Sequence, residues 1–238
     1  MLSRKPWRAE AVIQLIAGVF VCLGVGVVTA GLLRMAGVAA FQAPDSLANV
    51  LLATLSFQGA AWLLIFHFLK QHEIPWREAV GLHNANLKRS VLLAALVLLL
   101  ALPLVLQLEE FSALVLGKLG WPLADQRAVE LIVNAKSAWL SGYLAFFAIV
   151  LAPVSEEFMF RGVLFPFVKQ LGYPKLAWFG VSFLFALIHV NAPTLLPLFI
   201  LALVLTWLYQ KTDCLLAPIA AHSLFNTANL VILYTQAR

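Results

Sequence analysis

Long apolar stretches alternate with short polar segments along the chain, and this pattern predicts a polytopic membrane protein. A helix needs about 20 mostly apolar residues to cross the ~30 Å hydrocarbon core of a bilayer, and most of these stretches approach or exceed that length. The predicted spans are residues 11–33, 46–69, 90–108, 137–170, 176–190, 194–210 and 215–234. We therefore predict an all-α, polytopic transmembrane helical bundle of about seven to eight spans.

Three predictions concern the connections and the fourth span. Residues 109–136 form the longest connection, in which the acidic pair Glu109 and Glu110 is expected to be a solvated helix end. Residues 125–134 are amphipathic and are expected to lie on the membrane surface. The stretch 137–170 would be about 51 Å long as a helix, which exceeds the hydrocarbon core. We therefore expect a long, kinked fourth helix that projects into the cytoplasm.

Composition agrees with a membrane protein and argues against nucleic-acid binding and redox functions. The 238 residues are 63% hydrophobic and 11% charged, whereas soluble domains are about 45–50% apolar and about 25% charged. The net charge of +5 does not indicate nucleic-acid binding, because excess Lys and Arg in membrane proteins report topology. Cys22 and Cys214 form no CxxC or metal-binding pattern, so redox chemistry is not expected.

The basic residues predict that the N-terminus is cytoplasmic. In that orientation ten of the 16 Lys and Arg side chains face the cytoplasm, five face the other side, and Arg161 lies within the membrane. The basic N-terminus leads into an apolar run long enough to span, which favours a retained anchor over a cleaved signal peptide. The C-terminal residues carry no retrieval signal, and we expect a multi-pass protein of a prokaryotic inner (cytoplasmic) membrane.

The segment from Ser155 to Arg161 is the most unusual part of the chain, because it places charges inside an apolar span. Charged side chains at membrane depth cost several kcal/mol each and usually mark a function. Glu157 and Arg161 are four residues apart, so they share a helix face and can pair. Glu156 points about 100° away and is left for other chemistry. The alternative is a solvated helix end that carries only a structural ion pair.

Three polar residues of the last spans are predicted to lie near the depth of Glu156. From the helix rise, Glu156 lies about 21 Å from the cytoplasmic end of its helix and His189 about 20 Å from the same surface. His222 and Asn226 lie about 10 and 17 Å from it. Either histidine taken alone is more typical of helix packing, but the four groups together predict one site within the bundle.

Two kinds of hydrolytic chemistry fit this set of residues. A glutamate in a mostly apolar pocket can act as a general base towards water, and the amide of Asn226, one turn from His222, suits an oxyanion hole. Alternatively, Glu156, His189 and His222 match the ligand set of a catalytic zinc site with an open fourth position. The presence of Asn226 favours the metal-free alternative slightly, and both remain open at this point.

Three motifs follow one another on successive predicted spans: Glu156-Glu157-x-x-x-Arg161, Phe185-x-x-x-His189 and His222-x-x-x-Asn226. Together they resemble the signature of the CAAX protease and bacteriocin-processing family of intramembrane proteases. This family, also called the Abi family, is related to the Ras-converting prenyl protease. The resemblance covers about 137–234, and we expect residues 1–136 to supply N-terminal transmembrane helices and loops, with 137–238 as the catalytic helical core of a single structural unit.

The resemblance implies a role for each motif residue. Glu156 would activate the water, with His189 as its partner there, and His222 and Asn226 would stabilise the oxyanion. The supporting residues would be Glu157, Arg161 and Phe185. The family is catalogued as metalloendopeptidases, so zinc held by Glu156, His189 and His222 is one implied cofactor, and a metal-free glutamate mechanism is the other. The implied partners are the bilayer and a membrane-associated peptide or protein, lipid-modified in eukaryotic relatives.

Two non-enzymatic functions compete with an intramembrane endopeptidase. The first is a membrane scaffold or bacteriocin self-immunity protein of the same fold, which has no evident need for the complete set of motifs. The second is a transporter with a buried proton relay. The charged groups cluster in one half of the chain and no internal inverted repeat is evident, which disfavours a transporter.

Overall fold

The computed structural model describes residues 2–43, 46–82, 86–121, 129, 131–132, 135 and 137–236, and these are predominantly helical with no strand among them. Within these residues seven main helices follow one another. They are α1 (Ala9–Met35), α2 (Leu47–Gln71), α3 (Leu87–Lys118), α4 (Ala138–Gln170), α5 (Leu176–Leu187), α6 (Ala192–Thr212) and α7 (Leu216–Gln236). The predicted all-α transmembrane bundle is confirmed. Within the described residues six helices, all except α5, are long and apolar enough to cross a membrane.

Helix α5 is shorter than the span predicted over 176–190. Its two segments have 5 and 7 residues, so it is about 18 Å long and does not reach across a ~30 Å core. The chain turns at Val190, whose φ of 48° is left-handed. Asn191 then caps α6 by accepting a hydrogen bond from the Thr194 N–H at 3.1 Å. The predicted fifth span is therefore a short helix that returns directly into α6.

Helix α3 is longer than predicted. It continues through Pro103 and ends at Lys118, so the prediction that Glu109 and Glu110 form a helix end was wrong. Glutamate and leucine are good helix formers, and the helix stops only where Gly120 adopts a φ of 72°, as C-terminal glycines do. The surface helix predicted over 125–134 falls largely outside the described residues.

Helix α4 has the predicted length, but two π-helical turns interrupt it. It begins where the Ser137 side chain accepts a hydrogen bond from the Leu140 N–H at 3.2 Å. The π-helical turns are Phe147–Leu151 and Phe158–Leu164, and the α-helical segment Ala152–Glu157 lies between them. Such turns are rare and frequently occur at functional sites. The acidic pair of the first motif is at the end of this short α-helical segment.

Each π-helical turn lies next to a proline, and Pro153 leaves a carbonyl without a helical donor. The Ala152 N–H bonds to Phe147 O, five residues back, and Pro153 has no N–H. In a helix the Ala148 carbonyl would accept from the N–H of residue 152 or residue 153, so here it has no backbone donor. Asn226 of α7 supplies the missing donor through its Nδ2, at 2.8 Å. Helix α7 is thereby joined to α4 at the interrupted turn.

A second proline is matched by a donor from the N-terminal segment. Pro166 lacks the N–H that Gly162 O would accept in an α-helix, and Trp7 Nε1 donates to Gly162 O at 2.7 Å. The same segment contacts the α6–α7 turn, where Lys5 Nζ lies 3.3 Å from Asp213 Oδ1. These contacts place the N-terminal segment and the α6–α7 turn at one end of the bundle, as the predicted topology requires. That this end faces the cytoplasm stays a prediction.

Candidate active site

The acidic pair of α4 lies at the centre of a buried polar cluster. Arg161 Nη1 donates to Glu157 Oε1 at 2.9 Å, and both side chains are 0% exposed. This is the pairing that their four-residue spacing predicts. A buried ion pair needs further hydrogen bonds to offset the loss of hydration, so the remaining donors of Arg161 must also find partners.

Helix α6 and Phe185 satisfy the rest of the Arg161 guanidinium. Its Nη2 donates to Ala202 O at 3.0 Å and its Nε donates to Thr206 Oγ1 at 3.4 Å. The guanidinium also lies 4.4 Å from the centre of the Phe185 ring, a cation–π contact. Arg161 is therefore fixed by α4, α5 and α6 together, and it holds Glu157 in one position.

His222 of α7 lies between the two glutamates. Its Nδ1 is 2.8 Å from Glu157 Oε1 and its Nε2 is 4.0 Å from Glu156 Oε2. Because the carboxylate accepts the Nδ1 hydrogen bond, the tautomer and the orientation of the ring are set by Glu157. A distance of 4.0 Å is too long for a direct hydrogen bond, but one water can bridge two polar groups at this separation.

The two carboxylates differ in their access to solvent. Glu157 is 0% exposed and its Oε1 serves Arg161 and His222, whereas 13% of the Glu156 side chain is exposed. Ser155, Glu156 and Glu157 follow one another around an α-helical turn at about 100° intervals. Ser155 contacts Gln58 of α2 and Glu157 contacts α7. Glu156 is therefore directed between α2 and α7.

His189 lies beside the cluster but does not pair with Glu156. Its Nδ1 is 2.8 Å from Phe185 O, and its ring centre is 5.0 Å from that of Phe185. The Phe185 ring is also 5.7 Å from the His222 ring, so it contacts both imidazoles. Among the described residues the imidazole that approaches Glu156 is that of His222. The predicted partnership of His189 with Glu156 has no direct contact in this structure.

The predicted zinc ligands do not converge. Among the described residues no group of three or more His, Cys, Asp or Glu side chains could hold a metal ion. Glu156 and His222 approach each other, but His189 is held by Phe185. As positioned, these three side chains do not fit a three-ligand zinc site.

Gln58 is a buried residue of the site region that sequence reasoning missed. It is 2% exposed, and its Oε1 accepts a hydrogen bond from Ser155 Oγ. A single amide within an apolar run was the available signal. At 13 residues from the Gln71 end of α2, Gln58 lies about 20 Å deep, close to the depth estimated for Glu156.

Comparison with known proteins shows that the C-terminal part of the chain is similar to a described protein family. Residues 138–228 match the family model described as type II CAAX prenyl endopeptidase Rce1-like. UPF0177 protein YxdF of Lactococcus lactis subsp. lactis (strain IL1403) is 35% identical over 78 residues, which cover 32% of this chain and 42% of that protein. The chain therefore aligns with less than half the length of this curated relative. No solved structure matches.

The matched residues include all three motifs and the whole buried cluster of α4, α5, α6 and α7. The resemblance stated from those motifs is confirmed, while the division of the chain at residues 136 and 137 stays a prediction. Residues 138–228 are therefore similar to the Rce1-like family of type II CAAX prenyl endopeptidases.

Proposed function

We propose that the protein is an intramembrane endopeptidase that hydrolyses peptide bonds of membrane-associated substrates. One observation carries the proposal: Glu156 Oε2 lies 4.0 Å from His222 Nε2, while Glu157 Oε1 holds the Nδ1 of the same ring at 2.8 Å. A carboxylate with solvent access beside an oriented imidazole is an arrangement that can activate water. The family match supports the peptide bond as the target.

In the proposed reaction Glu156 is the general base. It accepts a proton from a water molecule as the water oxygen bonds to the carbonyl carbon of the scissile peptide. The C=O π electrons move to the oxygen and form a tetrahedral oxyanion. When the intermediate collapses, the C–N bond breaks and Glu156 returns its proton to the leaving nitrogen. The products are a carboxylic acid and an amine, so atoms and charge balance.

The oxyanion is stabilised by donors from α7. In its imidazolium form, His222 donates from Nε2, and Glu157 accepts from Nδ1 and offsets the positive charge. Asn226 uses one of its two amide N–H groups on Ala148 O, and the second is the other proposed donor. We assign His189 a positioning role, because Phe185 links it to His222 through ring contacts.

The proposed substrate class is supported by the family similarity and by where the site lies. A site within transmembrane helices suits peptides that are themselves anchored in a membrane. The proposed substrates are lipid-modified C-terminal peptides of the CAAX type, and the proposed location is a prokaryotic inner membrane with the N-terminus in the cytoplasm. Of the two alternatives we propose the metal-free one, which is supported by the contact of His189 with Phe185 instead of Glu156.

The test is a comparison of peptide termini in membranes from cells that express wild type or Glu156→Gln at matched levels. Termini that appear only with wild type would establish proteolysis and identify the substrate. Identical profiles from two folded proteins would contradict the proposal and favour a non-catalytic scaffold or self-immunity protein. The natural host is the appropriate cell, because the substrate must be present.

A further inference from the structure

Helix α2 presents two buried N–H groups that have no partner among the residues the structure describes. Gln58 Nε2 and Trp62 Nε1 are both buried and make no hydrogen bond to any described residue. Leaving a buried donor unpaired is unfavourable, so such groups are rare in folded proteins and require an explanation. Because the two donors are four residues apart on one helix, they share a face of that helix and can serve the same ligand.

Both side chains are held in place by neighbours that leave the donors free. Ser155 Oγ donates to Gln58 Oε1, which fixes the amide from its oxygen end. The Trp62 ring lies 5.2 Å from Trp76, and Trp76 in turn stacks on Phe158 of α4 at 5.5 Å. Gln58 is thus positioned by Ser155, just before the acidic pair of α4. Trp62 is positioned through Trp76 by Phe158, just after that pair.

The contact of Ser155 with Gln58 places α2 on the side of Glu156 opposite to His222. Ser155 contacts α2, Glu157 contacts α7, and Glu156 is directed between them, about 100° from each. A peptide that enters between α2 and α7 would therefore have Glu156 and His222 on one side and the α2 donors on the other. Backbone carbonyl oxygens are the acceptors that every peptide substrate offers, whatever its side chains.

From these contacts we infer that Gln58 and Trp62 are positioning residues that donate hydrogen bonds to backbone carbonyl oxygens of the bound peptide. The inference rests on the proposed peptidase function and assigns a substrate contact to α2, a helix outside the family match. Hydrogen bonds to carbonyls away from the scissile bond bind ground state and transition state alike, so they affect KM and leave kcat unchanged.

The experiment measures steady-state cleavage of a quenched fluorescent peptide that ends in a prenylated cysteine and three further residues. Wild type, Gln58→Leu and Trp62→Phe are purified in one detergent. Trp62→Phe keeps an aromatic ring against Trp76 while it removes the indole N–H donor. Gln71→Leu is the matched control, since it removes an amide from the same helix where that amide bonds to His67 at 2.8 Å.

The expected result is a KM raised about three- to ten-fold in Gln58→Leu and in Trp62→Phe, the loss of one hydrogen bond each. Their kcat should match wild type, and Gln71→Leu should match it in every respect. Unchanged KM in both α2 variants would overturn the inference, and so would a lower kcat and melting temperature at constant KM, which would mark both groups as structural.

The experiment also distinguishes a failure of the proposed peptidase function from a failure of the proposed α2 contacts. If wild type does not cleave the probe at all, the proposed prenyl-peptidase activity is refuted, and the α2 substrate contact is refuted with it. If wild type cleaves the probe and the α2 variants do so with unaltered KM, the function stands and only the role of Gln58 and Trp62 is rejected.

Discussion

Replacing Glu157 by glutamine tests whether the buried cluster is held together by charge. The substitution keeps the shape of the side chain and an oxygen that can accept hydrogen bonds. It removes the negative charge that faces Arg161 at 2.9 Å, in a pair that is 0% exposed on both sides. Arg161 is then left as a buried cation whose remaining partners, Ala202 O and Thr206 Oγ1, are neutral.

The expected loss of stability is large. Removing one partner of a buried ion pair costs about 3–5 kcal/mol, because the other charge stays buried without compensation. For a chain of this size about 1 kcal/mol corresponds to about 2–4 °C in Tm. We expect Glu157→Gln to lower Tm by about 6–20 °C on this conversion. Replacing both charges, in Glu157→Gln with Arg161→Met, should recover much of that loss.

Two residues of the chain provide the assay and its control. Cys214 is 0% exposed, so its reaction with a fluorogenic maleimide reports unfolding, with Cys22→Ala in every variant to remove the other thiol. The control is Asp213→Asn, which neutralises an ion pair with Lys5 whose side chains are 18% and 31% exposed. Partly exposed pairs contribute about 0–1 kcal/mol, so this control should melt close to wild type.

A Glu157→Gln protein that melts no lower than Asp213→Asn would refute the idea that charge holds the cluster together. A double variant that is less stable than Glu157→Gln alone would refute it as well, because the cost would then not come from an uncompensated Arg161.

Three further predictions follow from individual contacts. Asn226→Ala leaves Ala148 O without a donor, which should cost about 1–3 kcal/mol and lower the Tm; an unchanged Tm would show that this bond is dispensable. Activity should survive dialysis against a zinc chelator, because the candidate ligands do not converge; loss that only zinc restores would contradict this. Burial raises the pKa of the Cys214 thiol, so at neutral pH native protein should be labelled by maleimide at Cys22 and not at Cys214, and equal labelling would argue against the burial.

The sequence predicted the parts of the fold that depend on length and spacing. Hydrophobic length placed the long helices, and the four-residue interval of Glu157 and Arg161 predicted their pairing, since both follow from regular helix geometry. The depth estimates brought α4 and α7 together, but they placed His222 about 10 Å nearer the surface than Glu156. The 2.8 Å contact of Glu157 with His222 shows that the acidic pair and this histidine lie at the same depth.

Other features of the fold depend on contacts that a single sequence does not reveal. The acidic pair of α3 suggested a helix end, although the local residues favour helix as far as Lys118. The left-handed turn at Val190 shortens α5, and hydrophobic length alone does not locate such a turn.

The candidate site also contains contacts that the motifs alone did not predict. Phe185 holds His189, so that His222 approaches Glu156 instead. Gln58 resembles any other polar residue in a span, and only its contact with Ser155 connects it to the site.

The most direct test of the proposed mechanism is the cleavage rate of purified Glu156→Gln on the prenylated peptide probe, measured together with its Tm. We expect a Tm close to that of wild type, because Glu156 lies at the solvent-accessible edge of the cluster and Glu157 carries its buried hydrogen bonds. The rate should fall by about 10²–10⁴, the usual contribution of a general base. A folded Glu156→Gln protein that cleaves the probe at the wild-type rate would contradict the assignment of Glu156 as the group that activates water.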